Sequence, residues 1–268
     1  MKKSIAFTTL TALSLALISP AAALAQENPT STTATGTQAN LVRCDQNNQK
    51  WLVRIEQATT DRDAKLNRVR ADYDARLGKI RTEQDAKRSQ TWADRDAKLV
   101  KQRSERDLKG YKDEALKTAV AAFRTAQDTA IKARRDAVNA ALAVFRTTQE
   151  SALKTRRAAV DAAIKTRNDA LTAAYNAWKT RCTATVTVEE RKAANLAFRQ
   201  AVEKARADYK TAINAAFKVY SDAVKPARET RDAAIKTANE AFKMSMKTAW
   251  DALKAAKAAL TPATPVTP

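Results

Sequence analysis

The sequence predicts an all-α protein, an elongated antiparallel three-helix hairpin that forms a coiled-coil rod with 11-residue (hendecad) repeats. Three observations predict this class. The 268 residues include only three glycines and six prolines, too few for the many tight turns of a sheet protein. The central part is rich in Ala, Lys, Arg, Asp and Leu, the composition of long helices. Charged and apolar residues recur there with an 11-residue period, which corresponds to three helical turns.

Residues 1–25 have the pattern of a secretory signal peptide. Two lysines precede an uncharged, mostly apolar run from Ile5 to Ile18, and small residues end the segment. We therefore expect cleavage between Ala25 and Gln26 and a mature protein that is periplasmic or extracellular. Later segments lack the 18 or more apolar residues of a membrane span, so we expect no transmembrane segment in the mature chain.

Two segments of simple composition flank the helical part. Residues 26–41 are Thr-rich and aperiodic, which indicates a flexible lead, and residues 261–268 indicate a disordered tail of Pro and Thr. Residues 42–260 are predicted to form one long-helix bundle. Its helices are expected at about 42–110, 113–181 and 187–260.

The first helix carries two rows of acidic residues, each with an 11-residue spacing. Bases follow the first row at i+4, an arrangement that stabilises a helix by about 0.2–0.5 kcal/mol per pair, so we interpret the acids as solvent-facing. The first row is Asp61, Asp72, Glu83, Asp94 and Glu105, followed by Lys65, Arg76, Lys87, Lys98 and Lys109. The second row is Asp63, Asp74, Asp85, Asp96 and Asp107. A largely aromatic row of the third helix is Phe198, Tyr209, Tyr220, Arg231, Phe242 and Leu253.

The register of the repeats slips by one residue near Gly110, which predicts a turn there. Asp113 is then the expected N-cap of the second helix. The β-branched, helix-poor segment 182–187 predicts the second turn. Thr187 and Glu190 have the spacing of a capping box that starts the third helix.

The two cysteines, Cys44 and Cys182, are predicted to form a disulfide, because disulfides persist in exported proteins. Their Cα atoms must lie within about 7 Å of each other, which one continuous helix could not provide. A hairpin that turns near Asp113 brings them together. The same pairing places Trp51 near Tyr175 and Trp178 as an aromatic cap of the core.

Pro226 lies inside the third helix, yet the repeats continue through it without a shift. We interpret Pro226 as a kink, and the alternative is a turn there that would produce four helices. Antiparallel pairing places Gly78 and Pro226 at one level of the bundle. We therefore expect a hinge at these two residues.

The composition excludes several kinds of chemistry. The chain has no His, so it has no imidazole base and no His-ligated metal, and it has no Gly-rich phosphate loop. Acids one repeat apart are separated by about 16 Å along a helix, too far to share a proton or a metal ion. We therefore expect no enzymatic activity, no catalytic or metal-binding residues and no cofactor.

The net charge of +20 falls to +18 once residues 1–25 are removed, and the excess is spread evenly over the three helices. Spread positive charge favours loose association with polyanions. The predicted function is therefore that of an exported, non-enzymatic structural or interaction protein of the cell envelope. Its expected partners are anionic envelope polymers, an anionic lipid surface, client proteins or further copies of this chain.

Polar residues interrupt the apolar rows of the second helix, which favours an alternative function. Such interruptions suggest a partly open groove, as in a periplasmic chaperone-like or lipid-surface-binding bundle. They are Gln127, Arg134, Gln149 and Arg156. Extracytoplasmic nucleic-acid binding is a further and less favoured alternative.

The 11- and 22-residue amphipathic repeats resemble those of exchangeable apolipoproteins and late-embryogenesis-abundant proteins in their period. The signal segment, basic charge and long helices are similar in kind to those of the periplasmic Skp/OmpH chaperones. These resemblances imply long amphipathic helices and cover no sequence motif.

Overall fold

The computed structural model describes residues 34–108, 110–111, 113–181 and 186–260. These residues form three helices, and no strand occurs among them. The helices are α1 (Ala34–Asp107), α2 (Glu114–Lys179) and α3 (Val188–Ala259). The all-α class predicted from the sequence is confirmed. None of the described helices has a stretch apolar enough to cross a membrane.

The start of α1 differs from the prediction. The helix begins at Ala34, so residues 34–41, assigned to a flexible lead, are helical. No proline occurs between Pro29 and the body of α1, so nothing in the backbone prevents the helix from extending in this direction. The predicted signal peptide, residues 26–33 of the lead and the tail 261–268 lie outside the described residues.

The chain turns between Asp107 and Glu114. Gly110 has φ of +67°, a left-handed conformation that favours glycine, and its N–H donates to the Asp107 carbonyl at 3.0 Å. The Asp113 carboxylate accepts the N–H of Ala115 at 2.7 Å, which caps the free N-terminus of α2.

The start of α3 is closed by two reciprocal hydrogen bonds. The backbone N–H of Glu190 donates to the Thr187 hydroxyl at 3.2 Å, and the backbone N–H of Thr187 donates to the Glu190 carboxylate at 2.8 Å. This is the geometry of a capping box. The backbone and side-chain hydrogen bonds from Thr187 hold the pKa of Glu190 below its usual value.

Pro226 lies inside α3, which runs without interruption from Val188 to Ala259. The described residues therefore contain one helix here, and the alternative of a turn at Pro226 is wrong. The segment before a proline can remain helical when neighbouring helices pack against it.

The contacts divide the molecule into two units, which we call the first and the second unit. The first unit consists of Met1–Asn67 and Asn168–Arg206, and the second of Arg68–Arg167 and Ala207–Pro268. In the first unit Trp51 stacks on Tyr175, with ring centroids 4.8 Å apart, and Tyr175 lies 6.2 Å from Trp178. Tyr175 is 2% exposed. This aromatic cluster is the cap that the helix pairing predicted.

The core of the second unit comes from α2 and α3. Among the described residues, the buried apolar side chains of this unit all belong to these two helices. Alanines at 11-residue multiples are prominent among them and allow the two backbones to approach closely. They are Ala130, Ala152 and Ala163 of α2 and Ala216, Ala238 and Ala249 of α3. The apolar side chains of α1 in this unit, such as Leu77 and Leu99, are at most half-buried.

Candidate functional site

A row of arginines on α2 binds a row of aspartates on α1, and we call these contacts the aspartate ladder. Each guanidinium donates two hydrogen bonds to one carboxylate; Arg135, for example, contacts Asp96 at 2.9 and 2.6 Å. Such bidentate pairs are stronger and more directional than single hydrogen bonds. The pairs are Arg124–Asp107, Arg135–Asp96, Arg146–Asp85 and Arg157–Asp74.

A second row runs in the opposite sense, with arginines on α1 and acids on α2, and we call it the reverse ladder. Its pairs are Arg70–Asp161, Arg81–Glu150 and Arg103–Asp128. The repeat position between Arg81 and Arg103 holds Trp92 instead of a base, and the matching α2 position is Asn139. The Trp92 ring is covered by the guanidinium of Arg135, 5.2 Å from its centroid.

The two ladders share one register. The two residue numbers add up to 231 in every pair of both ladders. A constant sum means that α1 and α2 run antiparallel, with each 11-residue step on one helix matched by an equal step on the other. The second acid row therefore contacts α2 between Asp74 and Asp107, and these two residues are also exposed to solvent, as we interpreted them. Exposed ion pairs contribute little singly, but bidentate geometry and repetition increase their effect.

The ladder carboxylates have lowered pKa values. The hydrogen bond from Arg146, opposed by desolvation and helped by Arg88, lowers the pKa of Asp85 to about 2. Hydrogen bonds from their own arginines likewise lower the pKa values of Asp74 and Asp96. The aspartate ladder therefore stays ionised at neutral pH.

Arginine and aromatic side chains alternate along the seam between α2 and α3. Arg134 lies over Phe242 at 5.3 Å, and Arg156 lies over Tyr220 at 5.0 Å. The remaining pairs of this row are Arg167–Tyr209 at 4.7 Å and Arg231–Phe145 at 4.5 Å. Here the two residue numbers add up to 376, so α2 and α3 are also antiparallel in this unit.

The polar residues that interrupt the apolar rows of α2 all have partners on α1 or α3. Arg134 also donates to the Asn239 amide oxygen at 2.6 Å. Gln149, 4% exposed, accepts a hydrogen bond from Arg81 at 2.9 Å, and Gln127 accepts one from Arg103 at 2.8 Å. These residues therefore belong to the helix packing.

The described lysines occur only at the surface, whereas arginines occur both at the surface and between the helices. Every described lysine is exposed. Most arginines of the second unit are half-buried, either in the ladders between α1 and α2 or in the seam between α2 and α3. Several lysines contact an acid four residues later on the same helix, as Lys132 contacts Asp136 at 2.7 Å and Lys218 contacts Asp222 at 2.6 Å. Lys210, Lys243 and Lys254 of α3 form no ion pair within the described part of the chain.

The intrahelical pairs predicted along α1 are not formed in the residues that the structure describes. Asp72 does not contact Arg76, and Asp94 instead accepts a hydrogen bond from Gln90 at 2.7 Å. Asp61 likewise accepts one from Gln57 at 2.9 Å. A glutamine four residues earlier thus donates a hydrogen bond to Asp61 and to Asp94. The first acid row remains exposed.

Gly78 lines an open cleft of about 350 Å³ between α1 and α2 in the second unit. Leu77 and Leu153 also line it, as do the paired residues Arg157 and Asp74. Pro226 is exposed on α3. The hinge that we expected at Gly78 and Pro226 stays a prediction.

The cysteine prediction falls outside what the structure describes. Cys182 lies outside the described residues, and the side chain of Cys44 is not described. Among the described residues, no group of three or more acids or cysteines is placed to hold a metal ion.

Comparison with known proteins produces no match. No protein-family model matches the chain, and no curated protein and no solved structure is significantly similar to it.

Proposed function

We propose that this chain is an exported, non-enzymatic structural or interaction protein of the cell envelope. In this proposal the three helices form an elongated coiled-coil rod with 11-residue repeats, and its basic surface associates with polyanions. The observation that carries the proposal is the placement of the lysines: all described lysines are exposed, whereas the ladder and seam arginines are half-buried or buried.

This placement determines which charges a partner meets. The ladder arginines are neutralised by their carboxylates, as in Arg146–Asp85 and Arg81–Glu150, and other arginines cover aromatic rings. The positive charge that a partner meets therefore comes mostly from lysine ammonium groups, which outnumber the exposed arginines among the described residues. Such strongly hydrated point charges suit loose, salt-sensitive association with a polyanion better than bidentate recognition of one group.

The binding experiment uses duplex DNA of mixed sequence and polyphosphate as probe polyanions over a range of salt concentrations. Replacing Lys210, Lys243 and Lys254 by Gln should weaken binding and reduce the salt slope for duplex DNA by roughly 0.9 per lysine that contacts a phosphate. The matched control replaces the same three residues by Arg, which keeps the charge and should leave the affinity nearly unchanged. If the wild type binds neither polyanion at low salt, the proposal fails.

Exposed apolar side chains support the second candidate, a chaperone-like or lipid-surface-binding bundle. Phe217, Met244 and Trp250 of α3 are 40%, 63% and 45% exposed. Vesicle flotation and suppression of the aggregation of an unfolded client test this candidate. If replacement of Trp250 by Ser reduces either activity and the three Lys→Gln changes do not, the second candidate is favoured over the first.

A further inference from the structure

The outer face of α1 in the second unit carries two regular charge rows that neither ladder uses. All of their side chains are exposed, and within the described part of the chain none of them forms an ion pair. The acids are Asp72, Glu83 and Asp94, and the bases are Arg76, Lys87 and Lys98. These rows are therefore available to a partner from outside the described residues of one copy.

The inner rows of the same helix show what this pattern does when a partner helix is present. Asp74, Asp85 and Asp96 also recur with the 11-residue spacing, and each binds an arginine of the antiparallel α2. Two helices with the same repeat length stay in register over several repeats. Formation of one ion pair therefore places the residues of the next pair opposite each other. A helix that docks on the outer rows must carry complementary charges with this same spacing.

Small side chains on the outer face leave room for a second helix. Ala75, Ala86 and Ala97 are exposed and repeat with the same 11-residue spacing. On α2 and α3 alanines with this spacing, such as Ala152 and Ala238, are buried where those two helices pack. The outer face of α1 thus combines a charge pattern with the small side chains that close helix packing requires.

From this face we infer that α1 of a second copy docks here in antiparallel orientation. The pattern is complementary to itself: Asp72 meets Lys98 of the second copy, Glu83 meets its Lys87, and Asp94 meets its Arg76. The residue numbers of each such pair add up to 170, and a two-fold axis repeats each pair once more. The two rows hold equal numbers of acids and bases, so they are complementary to a copy of themselves. The inference goes beyond the proposed polyanion association and does not depend on it.

Two charge-reversed variants test the interface by sedimentation equilibrium of the purified full chain at low salt. The basic variant carries Asp72→Lys, Glu83→Lys and Asp94→Lys, and the acidic variant carries Arg76→Glu, Lys87→Glu and Lys98→Glu. Lys and Glu are both good helix formers, so the fold should persist, which circular dichroism checks. Each variant alone should dimerise at least about a hundredfold more weakly than the wild type, because like charges face each other. An equimolar mixture should form a heterodimer.

The matched control reverses three acids that share the 11-residue spacing on α3, with Glu229→Lys, Glu240→Lys and Asp251→Lys. It changes the net charge as much as the basic variant does and should leave dimerisation nearly unchanged. A monomeric wild type, charge-reversed variants that dimerise as tightly as the wild type, or a mixture that stays monomeric would each overturn the inference.

Zero-length cross-linking of a mixture of ¹⁴N- and ¹⁵N-labelled wild-type protein gives an independent measurement. We expect mixed-isotope peptides that join Glu83 of one copy to Lys87 of the other. Intermolecular cross-links confined to α2 or α3 would place the interface elsewhere and overturn the inference.

Discussion

Phe145 of α2 lies 4.5 Å from the guanidinium of Arg231 of α3, and this pair reverses the order of its neighbours. In the adjacent pairs the arginine is on α2, at Arg134 and Arg156, and the ring is on α3. A shift of α3 by one repeat in either direction would place Arg231 opposite one of these two arginines. The reversed pair therefore opposes the register shifts that an 11-residue repeat otherwise permits.

The first prediction concerns this pair. Phe145→Arg alone should destabilise the fold by about 2–4 kcal/mol, because it removes a packed ring and places two guanidiniums together. Phe145→Arg combined with Arg231→Phe restores an arginine–aromatic pair and should recover most of this loss in thermal unfolding. In the double variant, a shift of α3 by one repeat no longer places one arginine opposite another. Hydrogen exchange of this variant should therefore show more than one population. A single, wild-type exchange pattern would contradict this interpretation.

The second prediction concerns acid. The folded pKa of Asp85 is about 2, below the usual value of 3.8, so its stabilising contribution is present above about pH 4 and is lost as the pH falls toward 2. Urea midpoints should therefore fall over this range. Asp85→Asn should lower stability by about 1 kcal/mol or less at pH 7, since the pair is partly exposed, and the fall below pH 4 should be smaller. Equal acid sensitivity of variant and wild type would contradict the assignment.

The third prediction compares two glycines. Gly110→Ala should destabilise the protein by about 1 kcal/mol, because φ at Gly110 is +67°. Gly78→Ala should stabilise it by about 0.5–1 kcal/mol, since Gly78 lies inside α1 and a Cβ there would meet nothing within 4 Å. Denaturant titration of both variants measures the difference in sign. A stabilising Gly110→Ala change would be inconsistent with the turn.

The fourth prediction concerns the alanines between α2 and α3. Ala152 is 9% exposed, and Ala152→Leu should force these helices apart at a cost of about 1–3 kcal/mol. Ala158→Leu, at an exposed position of the same helix, is the matched control and should change stability by less than about 0.5 kcal/mol. Thermal unfolding of both variants tests whether close approach is required, and equal effects would show that it is not.

The fifth prediction concerns export. Mass mapping of the protein from the extracytoplasmic fraction, without reductant, should find Gln26 at the N-terminus and a peptide that joins Cys44 to Cys182. Reductant should separate the two cysteine peptides. Two free thiols in the exported protein would contradict the predicted disulfide. An exported protein that still carries residues 1–25 would contradict the predicted cleavage.

The helical class and the positions of the turns could be predicted because they depend on local signals. These signals involve residues close together in the sequence: the left-handed conformation of Gly110, the cap at Asp113 and the capping box of Thr187 and Glu190. The early start of α1 could not be predicted in this way, since residues 34–41 have no strong helix signal.

The ladders depend on two distant segments. The interpretation of Asp74 and Asp96 as solvent-facing missed their arginine partners because it considered one helix at a time. A signal for their partners was present in the sequence. The 11-residue spacing also relates four arginines of α2, in step with the aspartates of α1: Arg124, Arg135, Arg146 and Arg157. Only the sum of paired residue numbers, fixed by the turn, shows that the two rows meet. The arginine–aromatic pairs were missed for the same reason, since Arg134 and Arg156 looked like defects in an apolar row.

The constant residue sum along α1 and α2 makes the length of the second unit adjustable in fixed increments. Removal of one repeat from each of the three helices at matched positions would shorten it by three turns, about 16 Å, and would leave every remaining pair with its own partner. Unequal removal would shift one row against the other and break all pairs beyond the deletion. Variants with matched repeats added or removed should therefore differ in the span of this unit, while the packing within each repeat stays the same.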